Sequence, residues 1–364
     1  MRVQAAVIEE KGGSFGIVEL ELEEPRADEV LVRIVGAGVC HTDLVCRDQY
    51  FPVPLPCVFG HEGAGVVERV GADVRKVAPG DHVVLTFKTC GRCVNCKKGA
   101  GPYCLDLYGQ NFSGARPDGS TGLTRGDHHV HGHFFQQSSF ASYAVAHESN
   151  TVKVPRDAPL ELLGPLGCGI QTGAGAVMNS LRPNAGSSLA VFGAGSVGLS
   201  AVMAARVVGC TTIIAIDPQS SRRDLALSLG ATHALDPTQD DPVKAIADLT
   251  GGGANFSLEC TGIPSVLRQA VDCLLLTGVC GVIGVAPLGT EVKLDVNGIL
   301  FGRTVRGIIE GDSVPDIFIP QLIELHRQGR FPFDKLIRFY PLSEITEAVA
   351  ATERGEVLKA VLRP

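Results

Sequence analysis

The sequence predicts an α/β fold with two domains, an antiparallel barrel-like β domain and a doubly wound parallel sheet. Residues 1–157 hold short, alternating strand-like runs that Gly and Pro interrupt. Apolar strands then alternate with helical segments over residues 158–310, which is typical of a parallel sheet with helices on both faces. The tail, residues 311–364, changes back to two amphipathic helices and a closing strand. We expect this tail to join residues 1–157 in one domain, so that 158–310 form the other.

The elements can be placed in order along the chain. The first domain is expected to use strands such as EVLVRIVGAGV, GAGVVERVG and GDHVVLTF. The second is expected to have six strands, in SLAVF, TTIIAID, ATHALD, NFSLEC, GVCGVIGV and RTVRGII. Helices are expected between these strands, two of them at residues 242–249 and 264–276, and in the tail at 314–328 and 343–354.

Composition and charge limit the classes of function. Of the 364 residues, 45% are hydrophobic and 20% are charged, as in ordinary globular proteins. The 32 basic and 39 acidic residues leave a net charge of −7, which argues against a nucleic-acid partner held by its phosphates. The N-terminus lacks the pattern of a secretory signal, and no apolar run is long enough for a transmembrane helix. We therefore expect a cytoplasmic protein without a membrane partner, whose 12 cysteines are reduced.

Four of the cysteines form a compact local motif. Cys90, Cys93, Cys96 and Cys104 have the spacing C-x2-C-x2-C-x7-C in a loop that is rich in Gly and Lys. Four thiolates this close in sequence can surround one tetrahedral Zn²⁺, and such a site has no open position for a substrate. An iron–sulfur cluster is the alternative, although the spacing differs from the ferredoxin patterns. The motif predicts a structural zinc site.

Two further cysteines and a histidine lie in separate glycine-rich turns. Cys40 ends an apolar strand in GAGVCHTD, His61 lies in FGHEGAG, and Cys168 lies in LGPLGCGIQTGAG. Three ligands from separate loops would leave a fourth zinc position free, as catalytic sites do. Spacing alone leaves open the alternative that each of these residues is structural. The remaining cysteines lie in apolar patterns and are expected to be core thiols.

A glycine-rich turn opens the first helix of the second domain. Gly193, Gly195 and Gly198 match G-x-G-x-x-G directly after the apolar strand SLAVF. In this context the first Gly allows a tight turn, the second lets the backbone approach a pyrophosphate, and the third allows close contact of helix and strand. The helix N-terminus, with Ser196 and Val197, would present free N–H groups to the phosphates. The motif predicts a dinucleotide site.

An acidic residue at the end of the next strand indicates which dinucleotide binds. Asp217 ends IIAID, 19 residues after Gly198. Its carboxylate is expected to accept hydrogen bonds from the adenosine ribose and to repel a 2′-phosphate, which favours NAD over NADP. Arg222, five residues later, is a second expected cofactor contact, and it would instead attract that phosphate.

Taken in this order, the motifs resemble those of the zinc-dependent medium-chain alcohol dehydrogenases. The matching segments are GVCHTD (38–43), GHEGAGVVERVG (60–71), the four-cysteine loop (90–104), GCGIQTGAGA (167–176), GAGSVG (193–198) and GRTVRG (302–307). Within the family, YFPVPLPCVFGHEGAG and GHFFQQSSFASYAVA look most similar to the bacterial aryl-alcohol (benzyl alcohol) dehydrogenases. The resemblance implies a GroES-like barrel for the first domain and a Rossmann sheet for the second.

The resemblance also implies roles at the metal. Cys40, His61 and Cys168 would be the catalytic zinc ligands, with water or a substrate oxygen as the fourth. Asp43 would orient the ring of His61. Glu62 would lie just behind the metal, with the capacity to ligate it transiently. The family therefore implies two Zn²⁺ per chain, one catalytic and one structural.

Further residues match family positions around the substrate and the cofactor. Thr42 would bind the substrate oxygen and begin the proton relay. His41 and Lys359 would contact the cofactor pyrophosphate, and Thr172 would pack against the nicotinamide. Phe87 would border the substrate pocket.

One position departs from the family. Several relatives have a histidine five residues after the first ligand, where it passes the proton to solvent, and this chain has Val45 there. The relay would then end at Thr42 and the cofactor ribose or use another base, for which His41 is the candidate.

The resemblance implies an enzyme that reversibly oxidises a primary, aromatic or allylic alcohol to an aldehyde with NAD, as a homodimer or homotetramer. Zn²⁺ would act as a Lewis acid that lowers the pKa of the alcohol. A glutathione-dependent formaldehyde dehydrogenase or a polyol dehydrogenase is the alternative enzyme, with Arg116 and Arg125 as basic residues for a glutathione adduct. A catalytically silent zinc- and NAD-binding protein and a zinc-finger nucleic-acid binder are alternatives from other classes. The intact set of Cys40, His61 and Cys168 argues against the first, and the net charge of −7 argues against the second.

Overall fold

A computed structural model describes all 364 residues of the chain. The strands are β1 (Arg2–Ile8), β2 (Gly16–Leu22), β3 (Glu29–Gly38), β4 (Cys57–Val58), β5 (Gly63–Val70), β6 (His82–Leu85), β7 (Leu123–Arg125), β8 (His128–Val130), β9 (Tyr143–His147), β10 (Thr151–Val154), β11 (Ser188–Phe192), β12 (Thr212–Ile216), β13 (His233–Leu235), β14 (Ala254–Glu259), β15 (Leu274–Val282), β16 (Thr304–Gly307), β17 (Ile337–Pro341) and β18 (Lys359–Arg363).

The α-helices are α1 (His41–Arg47), α2 (Val94–Lys97), α3 (Leu107–Phe112), α4 (Gly169–Gly175), α5 (Ser196–Val208), α6 (Ser220–Leu229), α7 (Pro242–Thr250), α8 (Pro264–Asp272), α9 (Val296–Leu300), α10 (Pro315–Arg327) and α11 (Ile345–Glu353). None of these helices has the length and the apolar composition that are needed to cross a membrane.

The chain divides into two compact units, and the first consists of Met1–Gly169, Val314–Glu324 and Asp334–Pro364. It contains two sheets, with the strand orders β4-β1-β2-β7-β8 and β10-β6-β5-β3-β18-β17, and β9 also pairs with β3. All of these pairs are antiparallel except β17 with β18. Apolar side chains of the strands form one buried core. The alternating runs form strands because alternation places their apolar residues on the face that packs on this core.

β3 brings three functional segments of this unit together. It pairs with β5, where Ala37 lies opposite Gly63, and with β18, where Ala37 lies opposite Leu362. The turn after β3, the turn before β5 and the start of β18 therefore meet at the same end of the sheet.

The second unit consists of Ile170–Ser313 and Leu325–Phe333 and contains one six-stranded sheet. The strand order is β13-β12-β11-β14-β15-β16, and every pair is parallel. This is the order of a doubly wound sheet, in which the connections change direction between β11 and β14 and open a crevice at the carboxyl ends of these strands. The predicted α/β class is confirmed.

The helix at 264–276 is shorter than predicted. α8 ends at Asp272, and β15 begins at Leu274, which pairs with Ala254 of β14. Periodicity alone assigned the apolar residues LLL to the helix, but the backbone pairing with the neighbouring strand places them in the sheet.

The boundaries between the units lie later in the chain than expected. They are at 169/170 and 313/314, whereas the sequence predicted 157/158 and 310/311. The segment before Gly169 packs on the strands of the first unit so closely that a Cβ on Gly36 would lie 2.5 Å from Glu161 O. In the same segment Thr86 Oγ1 donates to Gly167 O at 2.7 Å. The turn that carries Cys168 therefore belongs to the first unit.

Candidate functional site

Four potential metal donors come together in the first unit, in the turns that β3, β5 and β18 bring to one end of the sheet. Cys40 precedes α1 directly after β3, His61 and Glu62 precede β5, and Cys168 precedes α4. The donor atoms of the four residues all lie within 4.8 Å of one another. The structure thus places the three predicted catalytic ligands in one cluster, although they are far apart in sequence.

The ring of His61 is held by Asp43. His61 Nδ1 and Asp43 Oδ1 are 2.9 Å apart, and both side chains are fully buried. Asp43 also accepts the backbone N–H of Gly60 at 3.1 Å and that of Cys40 at 2.9 Å. Because an ionised carboxylate only accepts hydrogen bonds, Nδ1 carries the proton and Nε2 keeps a free lone pair. Asp43 therefore selects the tautomer that a metal needs.

The cluster fits a zinc ion. His61 Nε2 is buried and has no hydrogen-bond partner, although buried polar atoms are nearly always satisfied. A hydrogen bond with Cys168 lowers the pKa of the Cys40 thiol well below its ordinary value, against the opposing effect of burial, and the charge of Lys359 lowers it further. Two thiolates and one imidazole are the donors of catalytic zinc sites that keep one position open.

Glu62 is buried beside these donors, but its carboxylate is bound by other groups. Lys359 Nζ lies 2.9 Å from both carboxylate oxygens, and Gly169 N donates to Oε1 at 3.0 Å. Burial opposes the charge on Lys359, but Glu62 and Cys40 outweigh it and raise the pKa of the ammonium group. The contact of Lys359 with the cofactor pyrophosphate, which the resemblance implied, stays a prediction. In the structure the side chain is 2% exposed and pairs with Glu62.

The start of α1 carries two more of the predicted residues. Thr42 is half-buried, and its Oγ1 lies 3.9 Å from Cys40 Sγ, so its hydroxyl borders the metal cluster. His41 is exposed at the first position of the helix. Val45 is apolar and only 8% exposed, so this position offers no group for proton transfer.

Aromatic rings cover one side of the His61 ring. Phe135 stacks on it, with the ring centroids 4.4 Å apart and the planes 27° from parallel. Phe134 lies edge-on to the same ring at 5.5 Å. Both side chains are buried, and Phe134 is fully so. The aromatic surface therefore begins directly on a predicted metal ligand.

Further rings continue from Phe135 toward the surface. Phe112 lies 5.1 Å from Phe135, and it contacts Tyr108 at 5.1 Å and Phe51 at 6.1 Å. Phe51 and Phe112 are half-buried, and Tyr108 is 51% exposed. We call Phe51, Tyr108, Phe112 and Phe135 the aromatic ladder. Phe87, the predicted pocket residue, is 5% exposed and lies in the same apolar core as Phe135.

The loop that presents Phe135 has an unusual backbone. Four of its non-glycine residues have left-handed φ values between 49° and 55°, namely His133, Phe135, Gln136 and Ser138. Such values are strained for residues with a Cβ and persist where neighbouring contacts hold them. Gln137 supplies two of these contacts, because its Nε2 donates to the backbone oxygen of His61 at 2.9 Å and its Oε1 accepts the N–H of the residue that begins β5 at 3.0 Å. The sequence analysis missed the ladder, because its residues come from three separate segments and only the aromatic pair in FFQQSSF was a signal.

The four-cysteine loop forms the second cluster of donors. The sulfur atoms of Cys90, Cys93, Cys96 and Cys104 all lie within 4.8 Å of one another. Backbone N–H groups donate to these sulfurs, among them that of Cys90 to Cys104 Sγ at 3.3 Å and that of Cys96 to Cys93 Sγ at 3.5 Å. The N–H of Cys96, together with that of Leu105, lowers the pKa of Cys93 to about 6. Four thiolates in this arrangement fit a structural zinc ion with no open position.

The glycine-rich turn of the second unit has the geometry that its motif requires. Gly193 has a left-handed φ of 95° and donates its N–H to the end of β12 at 2.8 Å. A Cβ on Gly198 would lie 1.9 Å from Gly193 O, whereas a Cβ on Gly195 would meet nothing within 4 Å. Position 198 therefore needs glycine for close packing, whereas the space beside Gly195 is open to a ligand. Gly195 precedes α5, whose first N–H groups, at Ser196 and Val197, have no partner within the helix.

Asp217 follows β12 and binds the glycine-rich turn. Its Oδ2 accepts the N–H of Ala194 and its Oδ1 that of Gln219, each at 2.9 Å. Because a carboxylate oxygen has two lone pairs, each oxygen keeps one for a ribose hydroxyl. Arg222 Nη1 lies 3.7 Å from Asp217 Oδ2, and Arg222 Nε is buried without a partner. Thr172 is 8% exposed, in α4.

Comparisons with known proteins cover both units. The family described as "Alcohol dehydrogenase GroES-like domain" matches residues 26–156, and the family described as "Zinc-binding dehydrogenase" matches residues 196–326. The chain is 52% identical to a geraniol dehydrogenase of Castellaniella defragrans over 362 residues, which cover 99% of this chain and 97% of that protein.

Solved structures are similar over the full length as well. An alcohol dehydrogenase zinc-binding domain protein from Burkholderia ambifaria has 58% sequence identity and a TM-score of 0.98. Benzyl alcohol dehydrogenase from Acinetobacter calcoaceticus has 49% identity and a TM-score of 0.97. Each comparison covers 100% of this chain and 99% of the other. The resemblance found in the motifs is confirmed, and the chain is an enzyme that belongs to the zinc-dependent medium-chain alcohol dehydrogenase family.

Proposed function

We propose that this enzyme reversibly oxidises primary aromatic and allylic alcohols to aldehydes, with NAD as the oxidant. The single observation that carries the substrate class is the aromatic ladder, which begins on the ring of His61, a proposed metal ligand. The names of two relatives support the same class, since geraniol is an allylic alcohol and benzyl alcohol an aromatic one.

The reaction takes a hydride from the carbinol carbon and a proton from the hydroxyl group, and NAD takes up the two electrons as NADH. A zinc ion held by Cys40, His61 and Cys168 would supply a Lewis acid that makes the alcohol more acidic. Thr42, whose hydroxyl borders the cluster, accepts the hydrogen bond of the alcohol and passes the proton on. His41, exposed beside it, is the base through which we propose that the proton reaches solvent.

The ladder gives a conjugated substrate ring faces to contact. Phe51 and Phe112 keep part of their surface accessible, and Tyr108 keeps half of it. Each favourable pair of aromatic rings adds about 0.5–1.5 kcal/mol beyond the effect of buried area. An aryl group therefore gains binding energy that a short alkyl chain does not.

Ion pairs formed by Arg116 and Arg125, the two candidate residues for a glutathione adduct, argue against a glutathione-dependent formaldehyde dehydrogenase. Arg116 is buried, with Nε 2.6 Å from Glu29 and Nη1 3.0 Å from Glu23. Arg125 pairs with Glu9 at 2.7 Å. The guanidinium group of Arg116 is thus neutralised in the interior and is not available for the carboxylates of a glutathione adduct, and that of Arg125 already pairs with an acidic residue at the surface.

We propose NAD as the preferred cofactor because Asp217 places a carboxylate where the adenosine ribose binds in folds of this kind. Arg222 lies beside this carboxylate and offsets part of its charge, so some turnover with NADP is expected. Measuring kcat/KM with both dinucleotides tests this proposal, and a preference for NADP would overturn it.

We also propose two zinc ions per chain, one in each donor cluster. The sulfur-only cluster and the mixed cluster are separate sets of residues in the structure. Elemental analysis of the purified protein should therefore give a ratio of zinc to chain near two, whereas a ratio near one would remove one of the sites.

A homodimer through β16 is our proposal for the oligomeric state. β16 is an outer strand of the parallel sheet, so one of its edges carries unpaired backbone groups. Large apolar side chains are exposed nearby, on and next to α9, with Val296 at 77%, Leu300 at 70% and Phe301 at 63% exposure. A second copy that pairs along the same edge would cover both features. Sedimentation analysis should show a dimer that Leu300→Asp dissociates, and a monomeric parent protein would contradict the proposal.

A panel of alcohols tests the substrate class. Benzyl alcohol, cinnamyl alcohol and geraniol should give higher kcat/KM than ethanol, 1-hexanol and hydroxymethyl-glutathione, with NADH formation followed by its absorbance. Hydroxymethyl-glutathione as the best substrate would establish the alternative. Metal-loaded protein that binds NADH but oxidises no alcohol would support a silent binding protein instead.

A further inference from the structure

A buried asparagine binds the backbone of the loop that carries Phe135. Asn150 lies directly before β10 and is fully buried. Its Nδ2 lies 3.1 Å from Phe135 O, 3.3 Å from Gln136 O and 3.1 Å from Thr86 O. Its Oδ1 accepts the N–H of His147 at 3.0 Å. Because a side-chain amide has two N–H groups, the three backbone oxygens share them.

The two loop residues that Asn150 binds are residues whose backbone needs to be held. Phe135 and Gln136 both have a left-handed φ of 51°. Residues with a Cβ rarely adopt this conformation, and they keep it only where surrounding contacts impose it. A return to ordinary backbone angles would turn the Cα–Cβ bond of Phe135. Its ring would then leave His61, on which it stacks at 4.4 Å, and Phe112, which it contacts at 5.1 Å.

Asn150 also joins this loop to the segment that leads to Phe87, the predicted pocket residue. Thr86 follows β6 and precedes Phe87. Its backbone oxygen accepts from Asn150 and, at 3.3 Å, from Gln137 Nε2, and its N–H donates to Asn150 O at 3.0 Å. One side chain therefore fixes the segments of Phe87 and Phe135 relative to each other.

We propose that Asn150 is a positioning residue that sets the preference of the enzyme for aromatic alcohols, because it holds the ring of Phe135 in the aromatic ladder. This inference rests on the proposed function of the ladder. The hydrogen bonds of the Asn150 side chain all go to backbone groups, and the side chain is fully buried. Asn150 therefore acts on a substrate only through the loop.

The placement of the ladder can be measured in the metal-loaded protein without alcohol or dinucleotide. The chain contains no Trp, so Phe112→Trp provides a single fluorescent ring in the ladder. Adding Asn150→Leu removes both N–H groups and keeps a side chain of similar size. The emission should shift to longer wavelength and quenching by acrylamide should increase, because Phe135 no longer packs on the reporter. Unchanged emission and quenching would overturn the proposal.

The consequence for substrates is measured in the protein without the reporter. Asn150→Leu should lower the ratio of kcat/KM for benzyl alcohol to that for 1-hexanol by about 2-fold to 12-fold, the range for loss of one aromatic contact. The decrease should come from a higher KM for benzyl alcohol at similar kcat, since the contact is made in the bound substrate as well as in the transition state. An equal loss of kcat for both alcohols would contradict the proposal.

A glycine in the loop tests whether Asn150 acts through the left-handed backbone. Glycine adopts this conformation without strain. Asn150→Leu should therefore change the substrate ratio less when it is introduced into Gln136→Gly than when it is introduced into the parent protein. An equal change in both backgrounds would mean that the backbone of the loop is not what Asn150 holds, and the proposal would fail.

Thr151→Val is the matched control. It removes the neighbouring, fully buried hydroxyl, which donates to His147 O at 2.9 Å and not to the loop. It should lower the free energy of unfolding but leave the reporter emission and the substrate ratio unchanged. If it changes the ratio as much as Asn150→Leu does, a general loss of stability explains both results and the proposal is wrong.

The two readouts separate this inference from the proposed function. Unchanged emission in Asn150→Leu overturns the positioning role and leaves the substrate class intact. A changed emission with an unchanged substrate ratio means that the ladder does not select substrates, which overturns the proposed substrate class and this inference together. If Asn150→Leu does not fold, Asn150→Ser provides the same comparison, since its hydroxyl is too short to reach the oxygen of Phe135.

Discussion

Phe112 is the residue through which the aromatic ladder can be tested most directly. It is half-buried and contacts four other rings, at centroid distances of 5.1 Å to Tyr108 and Phe135, 5.9 Å to Phe134 and 6.1 Å to Phe51. Phe112→Leu keeps an apolar side chain of similar length and removes the ring. Loss of one ring contact with an aromatic substrate should cost about 0.5–1.5 kcal/mol. That energy corresponds to a decrease of kcat/KM by about 2-fold to 12-fold.

The assay is the ratio of kcat/KM for benzyl alcohol to that for 1-hexanol, with NADH absorbance as the signal. The ratio should fall in Phe112→Leu, because the aliphatic substrate loses no ring contact. The free energy of unfolding should also fall, by about 1–3 kcal/mol, since contacts within the ladder are lost as well.

Phe140→Leu is the matched control. Phe140 is fully buried, and its ring pairs edge-on with Phe15 at 5.8 Å and not with a ring of the ladder. This variant should lose a similar amount of stability and keep the substrate ratio of the parent protein. If the ratio stays constant in Phe112→Leu as well, the ladder does not select substrates, and our reasoning about the substrate class is refuted.

Three other predictions concern the donors, the cofactor and the pH dependence of stability. Cys168→Ser should lose the catalytic metal and turnover while the protein stays folded. The control is Cys210→Ser, which removes a half-buried thiol of the second unit and should retain both the metal and turnover. Full activity of Cys168→Ser would exclude Cys168 as a ligand. Asp217→Ala should raise kcat/KM with NADP relative to NAD by roughly tenfold, because the carboxylate no longer repels the 2′-phosphate, and an unchanged ratio would contradict its role. Burial, aided by the charge of Arg116, lowers the pKa of His133 to about 4, so below pH ~6.5 the unfolded chain binds a proton that the folded protein does not. The free energy of unfolding should therefore decrease as the pH falls from about 6.5 toward 4, by about 3 kcal/mol in total from this group. His133→Asn, which tolerates the left-handed backbone at this position, should show a smaller decrease in urea titrations at the same pH values, and an equal one would argue against this source.

The sequence alone was sufficient to predict a site when the residues of that site lie close together along the chain. Cys90, Cys93, Cys96 and Cys104 lie within one loop, so their spacing already limits how far apart their sulfur atoms can be. The same holds for the turn from Gly193 to Gly198, which lies between a strand and a helix that the apolar pattern identifies.

The helix and strand boundaries show the limit of this reasoning. The end of α8 at Asp272 follows from the pairing of β15 with β14, which periodicity does not contain. The segment before Gly169 reads as the start of the second domain, but it packs on the strands of the first unit.

What the sequence by itself determined is the class of fold, the four-cysteine donor set and the dinucleotide turn, whereas the set of Cys40, His61 and Cys168 was implied by the family resemblance. Only the tertiary structure decided that Lys359 pairs with Glu62, 297 residues away, and that Phe135 stacks on His61 from a loop with left-handed backbone. The physical reason is that the pairing of β3 with β5 and β18 and the packing of the apolar core set these contacts. A local sequence pattern predicts which residues are buried, but it does not predict which distant residue each of them contacts.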